Sequence, residues 1–420
     1  MKIWIIDHYS SEPKYGGISR QFDFAQEFSS RGHDVTVISS GFSHFSHSYI
    51  SNEKIFISEI NSNARYVYIK TSSYTNNGDI KRVLNCLDFA ILVNKNRKQI
   101  EKHFGIPDAV VGCSIHPFTW LTAEIIAKKY KVPFIVEVRD LWPQTWVDDY
   151  GESPYGVKAI VFGVIEKNAY KNCDKIIYSM SQGDKYICEE LGYPRDKVMW
   201  IDQPMDCTRF DKNAEKYDEL PEEIKTFIGD DFLCVFTGYY VEYEGVYEML
   251  EASNILQTKH VPIKFLFVGS GQDEGGMRKY ASENNLINTY IGGRISKEQI
   301  PSLLRRADIC LAHLAIRNNP QSYKYDASKN KINEYMYADA CILYGTHLKN
   351  HFVETSGAGH LLEPYNAVAF AEAIERVYNM PIEERKRFGE NGMKYIREHN
   401  TVGKLIDKYI ELLKLAGVDK

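Results

Sequence analysis

The strongest constraint on the fold is an alternation of short apolar runs and helical patterns in the first half of the chain. The runs are continuous rather than alternating, which is typical of parallel strands that are covered on both faces. Helical patterns such as residues 18–30 and 119–130 lie between them. This βαβ rhythm predicts a doubly wound α/β sheet. The predicted strands are residues 3–6, 34–39, 66–70, 109–114, 134–139 and 175–180.

A second series of the same kind follows a polar, acid-rich segment. Its predicted strands are residues 232–238, 264–269, 289–292, 309–314 and 341–344, and the chain from Asn366 onward has helical patterns. Because 420 residues are too many for one ordinary core, we predict two Rossmann-like domains facing a central cleft. The predicted boundaries are 1–203 for the first domain, 204–230 for a linker and 231–399 for the second domain, with 400–420 packing back on the first.

Composition excludes several classes of function. The formal net charge is −5, so the chain has no electrostatic footprint for binding nucleic acid. The eight cysteines form no C-x-x-C pair and no Cys/His cluster at zinc spacing, which predicts reduced thiols rather than a zinc site. No apolar run approaches the roughly 18 residues of a membrane span, and the apolar start is too short for a signal peptide. We therefore expect a cytoplasmic protein.

Two acids eight positions apart, Asp326 and Glu334, mark the first candidate site. The pattern places Asp326 in a loop and Glu334 at or near the start of a helix, beside Lys329 and Lys331. A helix N-terminus with lysines favours phosphate, and carboxylates accept hydrogen bonds from sugar hydroxyls. The combination suggests a sugar nucleotide. On spacing alone a solvated loop before a buried helix fits better, because acids eight positions apart are common.

Further candidates lie just after predicted strands, where ligands bind in open α/β sheets. Gly16 and Gly17 either let backbone N–H groups approach a ligand or form a flexible turn. His116 suits hydrogen bonding to a substrate or proton transfer, although a lone histidine is more often structural. Arg139 stands beside Asp140, either as a ligand contact or in a packed ion pair that orders the loop.

The turn that contains Gly269 and Gly271 resembles a dinucleotide-binding turn but fails its spacing test. The third glycine, Gly275, falls one residue late for G-x-G-x-x-G, and no acid follows at the position of a ribose ligand. We therefore exclude a nicotinamide or flavin cofactor.

The segment Ile80–Phe104 combines apolar residues at helical spacing with many basic residues. This pattern suits a helix lying on an anionic membrane surface. It suits equally a helix that covers the sheet and has a solvated basic end. The apolar residues are Leu84, Leu87 and Ile91, and the basic residues are Lys81, Arg82, Lys95, Arg97, Lys98 and Lys102.

Taken together in order and spacing, these motifs resemble retaining glycosyltransferases of the GT-B fold, specifically a bacterial surface-polysaccharide subgroup of glycosyltransferase family 4. The resemblance covers nearly the whole chain. The motifs are the acid pair, the Asn-Lys pair before Glu334-Tyr335, an Arg-Asp-Leu-Trp-Pro stretch (139–143), a Gly-Gly-Arg stretch (292–294) and a Gly-Ala-Gly-His-Leu-Leu-Glu-Pro stretch (357–364).

The resemblance implies a metal-independent transfer of a sugar from a nucleotide donor, UDP first and GDP second. The implied acceptor is a lipid-linked saccharide at the inner face of the cytoplasmic membrane, in the synthesis of O-antigen, capsule or a related polysaccharide. Glu334 would bind the ribose, Asp326 the sugar hydroxyls and Lys331 the diphosphate. The implied catalytic residues are Lys331, His116 and Asp326, and the implied donor-binding residues are Glu334, Gly16, Gly17, Arg294, Ile295, Asn330, Arg139 and Gly238.

One departure concerns the loop 238–245, where many members of that family carry an arginine and a lysine for the departing diphosphate. This chain has Glu244 at the second position. The negative charge of the leaving group must then be neutralised by Lys331 and the helix beside it, together with Lys329 or Arg139. Stabilisation of this charge is required because electrostatic effects usually contribute most to catalysis. Two alternatives remain, a non-hydrolysing sugar-nucleotide 2-epimerase and a non-catalytic nucleotide-sugar-binding protein.

Overall fold

The computed structural model describes residues 1–17, 19–75 and 80–418, without the side chain of Ile80. The chain forms two compact units, one made of Met1–Pro204 with the chain from Val402 onward, the other of Met205–Thr401. The acid-rich segment predicted as a linker belongs to the second unit and contains the helices Cys207–Ala214 and Glu222–Ile228.

Fourteen strands in the described residues form two sheets. Most of them coincide with the predicted apolar runs. The strands are β1 Lys2–Ile6, β2 Asp34–Ser40, β3 Ile55–Asn61, β4 Ala64–Ile69, β5 Ala109–Ser114, β6 Phe134–Val138, β7 Lys175–Tyr178, β8 Val198–Trp200, β9 Phe232–Tyr239, β10 Ile263–Ser270, β11 Thr289–Ile291, β12 Ile309–Leu314, β13 Cys341–Thr346 and β14 Gly359–Leu362.

Helices connect these strands in both units. The helix predicted over 18–30 begins at Arg20, and Ile18 lies outside the described residues. The helices are α1 Arg20–Ser30, α2 Ile80–Phe104, α3 Phe118–Tyr130, α4 Gln144–Tyr150, α5 Val157–Asn172, α6 Cys207–Ala214, α7 Glu222–Ile228, α8 Val246–Thr258, α9 Glu274–Glu283, α10 Ile300–Leu304, α11 Asn330–Tyr337, α12 Phe352–Thr355, α13 Ala367–Tyr378, α14 Ile382–Tyr395 and α15 Val402–Leu415.

The first unit is built on an eight-stranded sheet in the order β3-β4-β2-β1-β5-β6-β7-β8. All neighbouring strands are parallel except the edge pair β3 and β4. On one face, Ile3 and Ile5 share a core with α1 and α15, where the Tyr409 ring packs edge-on against Phe24 and Phe28. The helices α2, α3 and α5 pack side by side in the same unit.

The second unit has a six-stranded, fully parallel sheet in the order β11-β10-β9-β12-β13-β14. Its core contains Phe236 of β9, Phe265 of β10 and Leu311 of β12, with side chains of α8 and α13 packed against them. The prediction of two doubly wound α/β sheets is therefore confirmed. Among the described residues, no helix is both long enough and apolar enough to cross a membrane.

Candidate functional site

A cleft of about 410 Å³ lies in the second unit, at the carboxyl ends of β9 and β10. The N-terminal turn of α11 forms part of its wall. This is the edge at which open α/β sheets bind their ligands, and the volume is within the usual range for small-molecule sites. Six residues singled out from the sequence line it, namely Gly238, Arg294, Ile295, Asn330, Lys331 and Glu334.

Two paired glycines form the floor of this cleft. Gly238 is the second-last residue of β9 and has φ +150°, and Gly269 lies opposite it on β10 with φ +156°. A Cβ atom on Gly269 would lie 1.8 Å from the carbonyl oxygen of Gly238, so only glycine fits there. A Cβ atom on Gly238 would lie 3.2 Å from Nζ of Lys331, which places this ammonium group directly beside the floor.

The Lys331 ammonium belongs to a cation cluster of Lys329, Lys331 and Glu244. Lys329 Nζ lies 2.8 Å from Oε1 of Glu244, and Lys331 Nζ donates a hydrogen bond to Oε2. All three side chains are largely buried. Burial raises the pKa of Glu244, but the two lysines outweigh it and lower that pKa to about 2. The cluster thus carries one net positive charge when both lysines are protonated.

Lys331 is the less solvated of the two cations. Burial lowers its pKa most, Glu244 opposes this effect and Lys329 adds to it, and the resulting pKa is about 8. Its Nζ also lies 4.5 Å from the centre of the Phe236 ring, a favourable position for a cation. A poorly solvated cation at the edge of a cleft favours an anionic ligand, because little water must be displaced.

Glu334 lies in the cleft but does not open the helix as the sequence predicted. Helix α11 begins at Asn330, so Lys331 is in its first turn and Glu334 one turn further on. Tyr335 fixes this helix against β9, because its hydroxyl accepts a hydrogen bond from the backbone N–H of Thr237 at 2.8 Å. Burial raises the pKa of Glu334, and Lys297 opposes the rise.

Asp326, the other member of the acid pair, is not among the described residues that line the cleft. Its Oδ2 lies 3.4 Å from Nε2 of His351, and its Oδ1 accepts a hydrogen bond from the backbone N–H of Ala327 at 2.7 Å. The side chain is 6% exposed. The carboxylate of Asp326 thus faces His351, whereas Glu334 lines the cleft.

The remaining predicted residues belong to the first unit. Gly16 and Gly17 lie exposed before α1, with φ +73° and +88°. Arg139 Nη1 lies 3.5 Å from Oδ2 of the fully buried Asp7, without hydrogen-bond geometry. Burial raises the pKa of Asp7, and Arg139 opposes the rise. The acid that Arg139 pairs with is thus Asp7, which follows β1, and not its sequence neighbour Asp140.

His116 is buried after β5, and its Nε2 lies 2.6 Å from Nδ1 of His8. Burial, with a smaller contribution from Arg82, lowers its pKa to about 3, so the ring is neutral at physiological pH. Cys86 of α2 completes a buried group of three with the two histidines. The sequence did not predict this group, because its members are far apart in the chain. The sequence did contain one indication of the group: His8 follows β1 and His116 follows β5, and both positions are strand ends where ligands bind.

The pairing of Glu244 with both lysines was also missed. The sequence has Glu244 in the loop where the resemblance expects a cation. This position indicated that one positive charge for the diphosphate was missing. The structure shows instead that Glu244 is itself the counter-ion of Lys329 and Lys331. The three residues meet because a short 3₁₀ turn, Glu242–Glu244, follows β9, and α11 packs beside the same strand.

Comparisons with known proteins agree with this architecture. Residues 219–395 match the family model described as Glycosyl transferases group 1. This segment includes all the residues of the cleft named above. No curated protein sequence matches the chain significantly.

Several solved structures have the same fold. Sucrose-phosphate synthase from Thermosynechococcus elongatus has a TM-score of 0.73 and 14% identity over 100% of both chains. HepE of Anabaena in complex with UDP-glucose has a TM-score of 0.63 and 13% identity over 99% of both chains. WaaG, a glycosyltransferase involved in lipopolysaccharide biosynthesis, has a TM-score of 0.66 and 15% identity over 98% of this chain and 99% of WaaG. The GT-B fold predicted from the sequence is therefore confirmed.

Proposed function

We propose that this GT-B chain is a retaining glycosyltransferase that binds a nucleotide sugar in the cleft of its second unit. The observation that carries the proposal is the position of the cation cluster beside the glycine floor, with Glu334 in the same cleft. A diphosphate needs cations and backbone N–H groups close together. A nucleoside needs a carboxylate for its ribose hydroxyls and an open backbone edge for its base.

The diphosphate fits beside Lys331. Its Nζ lies next to Gly238, and the first turn of α11, which lines the same cleft, adds the positive end of a helix dipole. The lysines that hold Glu244 supply the net positive charge. We infer that Lys331 stabilises the charge on the departing diphosphate, with Lys329 as its electrostatic support.

The nucleoside fits on the other side of Glu334. Carboxylate oxygens of Glu334 accept hydrogen bonds from the two ribose hydroxyls, and the backbone at Arg294 and Ile295 contacts the base. We propose UDP as the preferred nucleotide and GDP as the second. UDP is the nucleotide named in the complexes of Anabaena HepE, which shares the fold.

We propose a front-face mechanism, which needs cations for the leaving group and no protein base on the attacking side. The acceptor hydroxyl attacks the anomeric carbon on the face from which the diphosphate leaves. The bond between that carbon and the phosphate oxygen breaks, and the departing oxygen takes the hydroxyl proton. The configuration is retained. Asp326 and His116 keep their predicted roles as contacts of the transferred sugar, and Gly16, Gly17 and Arg139 as donor contacts from the first unit.

We further propose that the acceptor is lipid-linked, because the first unit exposes apolar side chains beside basic ones. On α2, Leu84, Leu87 and Ile91 are exposed, and exposed Lys95 and Lys98 continue the same stripe at helical spacing. Helix α5, in the same layer, exposes further apolar residues, namely Val157, Ile160, Val161 and Val164. Such a surface suits the headgroup region of an anionic membrane.

Binding to vesicles tests this surface. Replacing Lys95, Lys98 and Lys102 with glutamine should weaken binding to vesicles containing phosphatidylglycerol by about 1 kcal/mol per lysine. Neutral vesicles and an Ile91→Ser variant separate the electrostatic from the apolar contribution. Binding that is unchanged in both variants would favour a solvated helix that only covers the sheet.

A second candidate function has one observation in its favour. Glu244 already neutralises one of the two lysines, as it would in a protein that binds nucleotide sugars without transferring them. Strong UDP-sugar binding without turnover across a panel of acceptors would support this alternative. Epimerised sugar nucleotide formed without any acceptor would support the 2-epimerase.

A thermal-shift screen with UDP-, GDP-, ADP- and dTDP-sugars tests the donor proposal. We expect the largest stabilisation from a UDP-sugar. Glu334→Ala should weaken UDP binding about 10–100-fold, because hydrogen bonds to a charged group contribute about 1.5–3 kcal/mol. Glu283→Ala, which removes an exposed acid of α9, is the matched control. Unchanged UDP affinity in Glu334→Ala would exclude the ribose assignment.

A further inference from the structure

We propose that His8, Cys86 and His116 form a binding site for a transition-metal ion of the zinc class. Their three ligand atoms lie within 4.8 Å of one another, and all three side chains are at most 6% exposed. Two imidazoles and one thiolate are a common set of zinc ligands, and three protein ligands leave the fourth position open. The site lies in the first unit and goes beyond the proposed sugar transfer.

The fold brings the three residues together from distant parts of the chain. β1 and β5 are neighbouring parallel strands, and His8 and His116 follow them at the same carboxyl edge. Cys86 comes from the first half of α2. An ion bound here would therefore fix α2 to the loops after two central strands.

The two histidines already direct nitrogen atoms at one point. His8 Nδ1 and His116 Nε2 are 2.6 Å apart and share a hydrogen bond, which a bound ion would replace. Two zinc-bound nitrogens at about 2.05 Å from the metal in a tetrahedral site are separated by about 3.3 Å. The rings therefore need to move apart by about 0.7 Å to admit an ion. Cys86 binds as the thiolate, and its proton passes to solvent when the sulfur–metal bond forms.

The second nitrogen of each imidazole ring also supports a metal site. His116 Nδ1 and His8 Nε2 are buried without a hydrogen-bond partner among the described residues, although buried polar atoms are nearly always paired. Asn85 faces the His8 ring and, as a hydrogen-bonding group, raises the pKa of that ring against the larger effect of burial, although its Oδ1 does not reach full hydrogen-bond geometry. Metal-bound histidines usually donate their second N–H to an oxygen. The small ring movement required by the ion would allow His8 to do so with Asn85.

The surroundings restrict the ion. Tyr9 lies beside the group, with its hydroxyl oxygen 3.7 Å from Sγ of Cys86, and Arg82 donates a hydrogen bond to that hydroxyl at 3.1 Å. The guanidinium charge of Arg82 opposes binding of a cation. A thiolate ligand reduces the charge that a divalent ion brings, so the geometry favours soft or borderline ions over Mg²⁺ or Ca²⁺.

Metal titration of the full-length protein tests the proposal. We expect one equivalent of Zn²⁺ per chain after treatment with a chelator, and a thiolate-to-metal charge-transfer band when Co²⁺ replaces Zn²⁺. Cys86→Ser should remove the band and weaken Zn²⁺ binding more than about 100-fold, since even outer-shell partners contribute about 10–100-fold. Cys173→Ser, which removes another buried cysteine of the same unit, should change neither.

The outcomes separate this proposal from the sugar contact predicted for His116. His8→Ala should lose Zn²⁺ binding as Cys86→Ser does, with circular dichroism confirming that each variant is folded. Failure of the wild-type protein to take up one Zn²⁺, or equal uptake by folded Cys86→Ser, would overturn the metal site. UDP affinity, measured in the same preparations, reports separately on the donor cleft of the second unit.

Discussion

Two regions of the molecule, the cation cluster and the surroundings of His116, manage buried polar groups in opposite ways. In the second unit, the carboxylate of Glu244 pairs with both Lys329 and Lys331, so the two cations share one counter-ion. In the first unit, the ring of His116 and the guanidinium of Arg139 have buried nitrogens without hydrogen-bond partners among the described residues. A paired cluster holds its geometry before a ligand arrives. Unpaired polar atoms in a core cost free energy that a ligand can recover.

This difference assigns different tasks to the two regions. The cation cluster is suited to stabilising charge that develops during a reaction, because its groups are already oriented. The histidine group is suited to taking up a ligand that changes its local geometry. Removing Glu244 should make the cation cluster resemble the group of His8, Cys86 and His116, because its cations lose their counter-ion. Removing Lys331 should abolish the stabilisation that the cluster gives to the leaving group.

The largest effect is expected from removing the counter-ion. Glu244→Gln leaves two buried lysines without a counter-ion, and breaking a buried ion pair costs about 3–5 kcal/mol of folding stability. Thermal denaturation should show this loss, and saturating UDP should restore much of it, because a diphosphate replaces the missing negative charge. Glu242→Gln, in the same turn but exposed, is the control. A melting temperature that is unchanged in Glu244→Gln would show that the lysines do not depend on Glu244.

A slightly smaller effect is expected from removing the cation closest to the floor. Lys331→Ala should lower turnover about 10²–10³-fold, the usual effect of removing one group that stabilises transition-state charge. The control is Lys279→Ala, which removes an exposed lysine of α9. Initial rates at saturating donor separate turnover from binding. A loss of less than about tenfold would assign the leaving-group charge to Lys329 or the helix.

The smallest effect is a shift in pH dependence. Burial holds the pKa of Lys331 at about 8, so kcat/KM should fall as the pH rises through about 8 and the ammonium group loses its charge. Glu244 raises this pKa, so the alkaline limb should move to lower pH in Glu244→Gln. If kcat/KM falls at the same alkaline pH in the wild type and in Glu244→Gln, a group other than Lys331 titrates.

The same pKa has a consequence for stability. Lys331 has a lower pKa in the folded protein, about 8, than its ordinary value of 10.5. Between these values the unfolded chain binds more protons than the folded protein. The contribution of Lys331 to folding stability therefore rises with pH across this window.

The sequence predicted what depends on local pattern. Continuous apolar runs identified most strands of both sheets, because buried parallel strands have that composition. It missed β3, an antiparallel edge strand with exposed residues, and the short strands β8 and β14. Three or four residues carry too little periodicity to be recognised. Lys331 and Glu334 were found because they lie within one short motif.

What the sequence could not predict are contacts between distant residues. Glu244 and Lys331 are 87 positions apart, and His8 and His116 are 108 apart. Each pair meets only because parallel strands bring their carboxyl ends to one edge. The acid pair shows the converse. Asp326 and Glu334 are close in sequence, but the turn at Asp326, with φ +78°, directs its side chain to His351 rather than into the cleft.

The most direct test of the central claim is to compare UDP with UMP by calorimetry, in the wild type and in Lys331→Ala. If the cation cluster binds the second phosphate, wild-type protein should bind UDP at least about 10-fold more tightly than UMP, as expected for about 1.5–3 kcal/mol from hydrogen bonds to a charged group. In Lys331→Ala this ratio should fall towards one while UMP affinity stays nearly the same. An undiminished preference for UDP in Lys331→Ala would contradict the account.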